Sequence, residues 1–177
     1  MDVQVLVMPG IHGSGPKHWQ TLWEAQHPDY RRIQVDDWDH PQCSSWVAAI
    51  DEAVFSAPAP VLLVAHSLGC LATVTWAMQA ERTEKLRGLL LVSIPDPLGP
   101  HFPVDAKGFS RPALQPLPTS GIVVSSENDP YGAPAYMRTC ADAWGCRFVN
   151  AGLLGHINAD SDVGDWPMGR ALLDSLR

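Results

Sequence analysis

The sequence is poor in basic residues and contains no long hydrophobic run. Lys and Arg number 12 against 19 for Asp and Glu, so the formal net charge is −7 at pH 7. A field of that sign repels nucleic-acid phosphates and anionic membrane surfaces, and we expect neither as a partner. No apolar run approaches the roughly 20 residues that span a bilayer. The N-terminal segment also lacks the basic start and apolar core of a signal peptide, which predicts a cytoplasmic protein.

Motifs for metal ions and for phosphate groups are absent as well. The four cysteines form no C-x-x-C pair and have no His neighbours at the spacing of zinc ligands, so they are expected to be reduced thiols. The segment 36–40 is only faintly similar to a metal site, and a solvated loop is the simpler interpretation because hard metal ions need several convergent oxygen ligands. The glycine-rich segment 8–15 lacks the Lys-Ser/Thr pair of a phosphate-binding loop. No metal site is therefore predicted.

Short apolar runs alternate with longer helical patterns along the whole chain. Six runs rich in β-branched residues or leucine predict strands, at 3–8, 32–35, 61–65, 87–92, 121–125 and 147–150. Five helices are predicted, at 17–26, 45–55, 69–81, 135–144 and 167–176. This alternation gives a mostly parallel sheet with helices on both faces. The sequence therefore predicts a single domain over 1–177, with a six-stranded, three-layer α/β/α fold.

One long segment carries no regular pattern. Residues 95–118 contain seven prolines, and this density excludes a helix or strand through most of the segment. A loop of this length in a compact domain is usually functional. It is the only candidate cover for a site, and no lid domain is expected. Trp38, Phe102 and Phe109 are candidates for a shallow apolar wall there.

A serine stands between the predicted third strand and the helix that follows. Residues 65–69 read Ala-His-Ser-Leu-Gly, which matches the G-x-S-x-G nucleophile elbow except that alanine replaces the first glycine. On such a turn the hydroxyl is lifted above the sheet edge. The alternative is that Ser67 is an ordinary helix N-cap. The strand before it and the helix after it favour a nucleophile.

A serine nucleophile needs a base, and the base needs an acid that orients it. In folds with this elbow the chain order is Ser, then Asp or Glu, then His, on loops after later strands. Asp129 follows the predicted strand at 121–125, and His156 follows the one at 147–150. Ser67, Asp129 and His156 are therefore the predicted catalytic residues.

Several alternatives to this triad remain open at the level of sequence. Asp129 precedes a proline and His156 follows a glycine, so each could belong to a plain loop. Asp96, after the fourth strand, is the second candidate for the acid, and Glu127 is two residues short. His66 is adjacent to the serine, but a sharp turn is expected to aim the two side chains apart.

The tetrahedral intermediate of acyl transfer needs two hydrogen-bond donors aimed at its oxyanion. One is expected to be the backbone N–H of Leu68, the residue after the nucleophile. The other is expected from the glycine-rich loop after the first strand. Ile11 is the best-placed donor in that loop, and His12 is the second choice.

Several groups of residues, spread over almost the whole chain, are typical of one family. They are Pro9-Gly10 with Gly13-Ser14, Trp19, Asp37-Trp38 with Pro41, residues 66–69, residues 126–131 and residues 155–158. With them the chain resembles the compact serine hydrolases related to retinoblastoma-binding protein 9, a small branch of the α/β-hydrolase superfamily. The Asn-Asp-Pro-Tyr and Gly-His-Ile-Asn segments are more particular than the elbow, which the superfamily shares. The resemblance implies a Ser67–Asp129–His156 triad, no cofactor and only a vestigial lid.

The sequence thus predicts a serine hydrolase that cleaves a small ester, thioester or amide through an acyl-enzyme. The expected partner is a small-molecule substrate, whose identity is open, as is the oligomeric state. The main alternative is a binding module that keeps the fold without turnover, because a fold does not fix a function. A flavodoxin-like nucleotide binder is disfavoured by the missing phosphate motifs.

Overall fold

The computed structural model describes residues 3–177, which fold around one six-stranded sheet. The strand order is β2-β1-β3-β4-β5-β6, and all five pairings are parallel. The strands are β1 (Gln4–Met8), β2 (Tyr30–Arg32), β3 (Val61–His66), β4 (Leu86–Val92), β5 (Gly121–Ser125) and β6 (Arg147–Asn150). The predicted α/β class with a parallel six-stranded sheet is confirmed.

Helices cover both faces of the sheet. They are α1 (Trp19–Gln26), α2 (Cys43–Ser56), α3 (Leu68–Gln79), α4 (Pro134–Trp144) and α5 (Pro167–Asp174), with 3₁₀ turns at Ile11–Gly13 and Ala159–Ser161. Alternate residues of a strand point to opposite faces, so Val5 and Val7 join one apolar cluster and Leu6 and Met8 the other. Burial on both faces explains the continuous apolar runs of the central strands. No helix within residues 3–177 has both the length and the apolar character required to cross a membrane.

The second strand was predicted at the wrong place. β2 covers Tyr30–Arg32 rather than 32–35, and it pairs with β1 through Val7 opposite Arg32. The Ile33 N–H still donates to the Val7 oxygen at 2.9 Å, after which the chain leaves the sheet. Ile33 and Val35 pack on the core from a loop, so their spacing imitates a strand. The other predicted elements differ from the observed ones by at most two residues at either end.

The proline-rich segment crosses the carboxyl end of the sheet without helix or strand of its own. An isolated bridge joins Lys107 to Gln42, and the Lys107 N–H donates to the Pro41 oxygen at 2.9 Å. Ligands of open α/β sheets bind beyond the carboxyl ends of the strands. The segment therefore lies where it can form one wall of a site, as the sequence predicts.

Candidate active site

Ser67 lies on a sharp turn between β3 and α3. Its φ of 54° is in the left-handed region, a backbone conformation that is strained for most residues other than glycine. The turn is held on both sides, because the Ser67 N–H donates to the Val92 oxygen and the Cys70 N–H to the Ser67 oxygen, each at 2.9 Å. Gly69 lets α3 approach β1, since a Cβ there would lie 2.3 Å from the Pro9 oxygen. These contacts lift the Ser67 side chain above the sheet edge.

The structure brings Ser67, Asp129 and His156 together. The Nε2 of His156 lies 2.7 Å from the Ser67 hydroxyl, and its Nδ1 lies 2.9 and 3.0 Å from the two carboxylate oxygens of Asp129. A carboxylate only accepts hydrogen bonds, so we assign the ring proton to Nδ1, which leaves Nε2 to accept from the hydroxyl. The Asp129 side chain is fully buried and that of His156 is 10% exposed. The three side chains therefore form a connected hydrogen-bonded chain that is largely shielded from solvent.

The loops that carry the predicted acid and the predicted base are tied to each other. The Asn128 amide oxygen accepts the Gly155 N–H at 2.8 Å and the Ser126 hydroxyl at 3.0 Å. The Ser126 hydroxyl in turn accepts the Leu154 N–H at 2.9 Å. Asp129 and His156 thus lie on two loops that follow neighbouring strands, and these hydrogen bonds fix the distance between the loops.

The other candidates for the acid are engaged elsewhere. Asp96 forms a two-point ion pair with Arg111, at 2.8 and 2.6 Å. The hydrogen bonds from Arg111 lower the pKa of Asp96. Glu127 accepts a hydrogen bond from the Asn150 side chain at 3.1 Å. Asp129 is therefore the carboxylate that reaches His156.

The segment 36–40 forms an exposed loop. The Asp37 carboxylate accepts the N–H groups of Asp39 and His40 at 2.8 and 3.0 Å. Among the described residues, no group of three or more His, Cys, Asp or Glu side chains is arranged around a common point as metal ligands. The local hydrogen bonds account for the acidic residues of this loop.

Two buried histidines lie behind the predicted base. The His66 ring lies 4.9 Å from that of His156 and 4.6 Å from that of His18. Burial lowers the pKa of His18 to about 3, with a smaller effect of the charges of Arg32 and His156. Burial also lowers the pKa of His66 well below its usual value, with further contributions from His18 and His156. Both rings are therefore neutral near pH 7.

His18 was not among the residues predicted from the sequence. The residue caps α1, because its Nδ1 accepts the Gln20 N–H at 3.2 Å, and it also lines the cavity over Ser67. Histidine is not a typical N-cap residue. No spacing in the sequence connects position 18 with position 66, so no signal was available to find this pair.

Two backbone N–H groups beside Ser67 are free to bind an oxyanion. Leu68 begins α3 and Ile11 begins the first 3₁₀ turn, so neither N–H has an intrahelical partner. Within residues 3–177 neither donates any other hydrogen bond. His12, the second choice, is excluded because its N–H donates to the Trp38 oxygen at 2.9 Å.

The position of Ile11 is set by Gly10. A Cβ at Gly10 would lie 2.9 Å from the Ser67 Cβ and 3.4 Å from the Leu68 nitrogen, so the loop passes directly against the elbow. The Gly10 oxygen accepts the Gly13 N–H at 3.1 Å. Because a trans peptide unit points its N–H opposite to its C=O, this turn directs the Ile11 N–H away from the loop interior.

A cavity of about 510 Å³ opens over Ser67 and His156. The glycine-rich loop forms one wall, and the proline-rich segment contributes the opposite wall through His101, Pro103 and Val104. No Lys or Arg lines this cavity, whereas Asp105 does. Trp38, Phe102 and Phe109 do not form the expected apolar wall, because they pack against the hydrophobic core instead.

Comparisons with known proteins show which family the chain matches. Residues 5–175 match the family model described as "Serine hydrolase". A YdeN-like hydrolase from Pectobacterium atrosepticum is 30% identical, with a TM-score of 0.86 over 99% of this chain and 92% of that one. The ydeN gene product of B. subtilis is 19% identical, with a TM-score of 0.80 over 99% and 98% of the two chains.

More distant structures share the fold. A monoacylglycerol lipase from Paleococcus ferrophilus is 11% identical, with a TM-score of 0.72 over 98% of this chain and 93% of that chain. A comparison with curated protein sequences finds no significant match. The match to the family model spans nearly the whole of the chain, and the YdeN-like hydrolase, at 30% identity, has the same architecture. The chain therefore belongs to the serine hydrolase family and is a compact enzyme of the α/β-hydrolase superfamily.

Proposed function

We propose that the enzyme cleaves a small ester, thioester or amide through an acyl-enzyme formed on Ser67. The observation that carries this proposal is the position of His156, which lies 2.7 Å from the Ser67 hydroxyl and 2.9 Å from the Asp129 carboxylate. A base oriented by a buried carboxylate and directed at a serine is the arrangement that activates a hydroxyl at neutral pH.

In the first half-reaction the Ser67 oxygen attacks the carbonyl carbon of the substrate. His156 Nε2 takes the hydroxyl proton, while Asp129 holds the Nδ1 proton and stabilises the imidazolium. The carbonyl oxygen becomes an oxyanion, which the N–H groups of Leu68 and Ile11 stabilise. His156 then gives its proton to the leaving alcohol, thiol or amine as the bond to the carbonyl carbon breaks.

In the second half-reaction water replaces the leaving group. His156 takes a proton from water as its oxygen attacks the acyl carbon, and the same two N–H groups stabilise the new oxyanion. Collapse of this intermediate breaks the bond to the Ser67 oxygen and returns the proton to it. The products are a carboxylic acid and the free enzyme.

The cavity favours small substrates. Its volume of about 510 Å³ is in the lower half of the usual range for ligand sites, about 300–1,000 Å³. The proline-rich segment covers it only on one side, so a long acyl chain finds little additional surface to bury. A negatively charged substrate group finds no Lys or Arg among the lining residues. The cytoplasmic location and the absence of nucleic-acid partners remain predictions from the sequence.

A fluorophosphonate probe tests the proposal, because it reacts with an activated serine at the nucleophilic oxygen. The wild-type enzyme should be labelled at Ser67, as peptide mapping would show, and should hydrolyse nitrophenyl acetate. Ser67→Ala should lose both properties. Ser44→Ala, which removes an exposed hydroxyl on α2, is the matched control and should keep both. Labelling or turnover that persists in Ser67→Ala would overturn the proposal.

A further inference from the structure

Arg32, the last residue of β2, reaches the glycine-rich loop through its side chain. Its Nη1 donates to the backbone oxygens of Gly13 and Ser14, at 2.6 and 3.3 Å. Its Nη2 donates to the Thr21 hydroxyl at 2.7 Å, and this hydroxyl donates to the Ser14 oxygen at 2.7 Å. One guanidinium group therefore fixes two consecutive carbonyls of the loop.

Glu24, on α1, fixes the orientation of this guanidinium. Its two carboxylate oxygens lie 3.0 Å from Nε and 2.8 Å from Nη2 of Arg32. The side chains of Arg32 and Glu24 are 21% and 19% exposed. A planar guanidinium held at two points by a carboxylate has its remaining N–H groups in fixed directions. In this protein those directions lead to the loop.

The loop needs such a restraint because its backbone is strained. His12, Gly13 and Ser14 have φ values of 68°, 75° and 51°, three consecutive residues in the left-handed region. For His12 and Ser14 this conformation is unfavourable and persists only when the surroundings impose it. Arg32 holds the carbonyl oxygens of the second and third of these residues.

The same loop carries the Ile11 N–H. The Gly13 N–H donates to the Gly10 oxygen, so the position of Gly13 determines the direction of the Ile11 N–H. We propose that Arg32, oriented by Glu24, is a positioning residue that holds this N–H in place for the oxyanion. This inference rests on the proposed acyl-enzyme function, in which Ile11 is the second oxyanion donor.

Arg32 does not line the cavity over Ser67, so its hydrogen bonds reach the oxyanion only through the loop. Negative charge develops on the carbonyl oxygen only in the tetrahedral intermediate and the transition states that flank it, so a displaced donor should lower kcat and leave KM nearly unchanged. Loss of a complete oxyanion donor costs roughly 10²- to 10³-fold in kcat. A donor that is present but loosely held should cost less, and we expect a loss of roughly 10- to 100-fold.

The decisive variant is Arg32→Met, which keeps the length of the side chain and removes every donor. Arg31→Met is the matched control, because Arg31 is the exposed neighbour of Arg32 on β2 and its replacement removes the same positive charge. Both variants should be compared in kcat and KM for nitrophenyl acetate. The inhibition constant of an aryl trifluoromethyl ketone, which binds serine hydrolases as a charged tetrahedral adduct, should be measured in parallel.

We expect kcat and the affinity for the ketone to fall together in Arg32→Met and to remain unchanged in Arg31→Met. If Arg32→Met does not fold, as judged by circular dichroism, Arg32→Lys decides, because an ammonium has three N–H donors and cannot replace the five contacts that the guanidinium makes with Gly13, Ser14, Thr21 and Glu24. If a folded Arg32 variant has the kcat of the control, the positioning role of Arg32 is overturned and the proposed function is not affected. A different result, activity that persists in Ser67→Ala, would overturn the proposed function itself.

Discussion

The Nε2 of His66 lies 2.9 Å from the backbone oxygen of His156, so the residue beside the proposed nucleophile supports the loop of the proposed base. A carbonyl oxygen only accepts, so the His66 Nε2 carries the proton of this hydrogen bond. The low pKa of His66 keeps its ring neutral, with that proton in place and no positive charge added beside His156. The elbow thus supplies both the hydroxyl and a restraint on the loop that bears the base.

This restraint predicts different effects for two substitutions of His66. In His66→Leu the donor is lost, the His156 loop is free to shift, and we expect kcat to fall roughly tenfold. In His66→Gln the side-chain amide can donate to the same oxygen, so most of the activity should remain. Steady-state kinetics on nitrophenyl acetate distinguish the two. Equal activities of the Leu and Gln variants would show that the hydrogen bond does not position His156.

The acid can be identified by replacing two aspartates in turn. Asp129→Asn should lower kcat by roughly 10⁴-fold, because an amide favours the wrong tautomer of the imidazole. Asp96→Asn should retain nearly full activity, since Asp96 is paired with Arg111. The measurement is kcat/KM for the same ester in both variants. If only the Asp96 variant were inactive, Asp96 rather than Asp129 would be the acid, and the assignment would be wrong.

Gly10 and Gly15 offer a matched pair for testing the contact between loop and elbow. A Cβ at Gly10 would meet the Ser67 Cβ at 2.9 Å and the His66 oxygen at 3.2 Å, whereas a Cβ at Gly15 would meet nothing within 4 Å. Gly10→Ala should push the loop away from Ser67 and lower kcat roughly 100-fold. Gly15→Ala should keep its activity. A fully active Gly10→Ala enzyme would mean that Ile11 does not bind the oxyanion.

The buried His18 predicts a loss of stability in acid. The unfolded chain protonates this residue as the pH falls below about 6.5, whereas burial keeps it neutral in the native state down to about 3. Lowering the pH across this window therefore favours unfolding, by at most about 1.4 kcal/mol per pH unit. His18→Asn can still cap α1 and should show a shallower pH dependence in urea unfolding. An unchanged slope would contradict the assignment of a neutral His18.

The half-covered cavity predicts a preference for short acyl chains. Each methylene left in water forgoes about 0.8 kcal/mol of binding free energy. The proline-rich segment contributes only Pro95, His101 and residues 103–105 to the lining of the cavity, so we expect the far end of a long acyl chain to stay exposed. Catalytic efficiency on nitrophenyl esters should therefore level off at short chains in a series from acetate to laurate. A steady rise toward laurate would indicate a deep acyl tunnel.

The sequence was sufficient for the central strands and the elbow, because residues buried on both faces leave a continuous apolar pattern. It failed at β2, where Ile33 and Val35 are buried from a loop and imitate a strand. It favoured Asp129 over Asp96 as the acid, but both follow strands, and the partners His156 and Arg111 that distinguish them are visible only in the structure.

Contacts between distant parts of the chain account for what was missed entirely. Arg32 and Gly13 are 19 positions apart, and His66 and the His156 oxygen are 90 apart. No local pattern encodes such pairs, because each residue taken alone is compatible with an ordinary surface or core position. Their roles become visible only when the loops have been placed around Ser67.

The proline-rich segment also has a consequence for the fate of the acylated enzyme. Its backbone is stiffened by prolines and tied to Pro41 by a hydrogen bond at 2.9 Å, so it has little freedom to swing over the site. An enzyme without a closing lid cannot keep bulk water from its covalent intermediate. Water at its concentration in solution then competes with dilute alcohols or amines as acceptors, and we expect the proposed acyl-enzyme to favour hydrolysis over the synthesis of new esters.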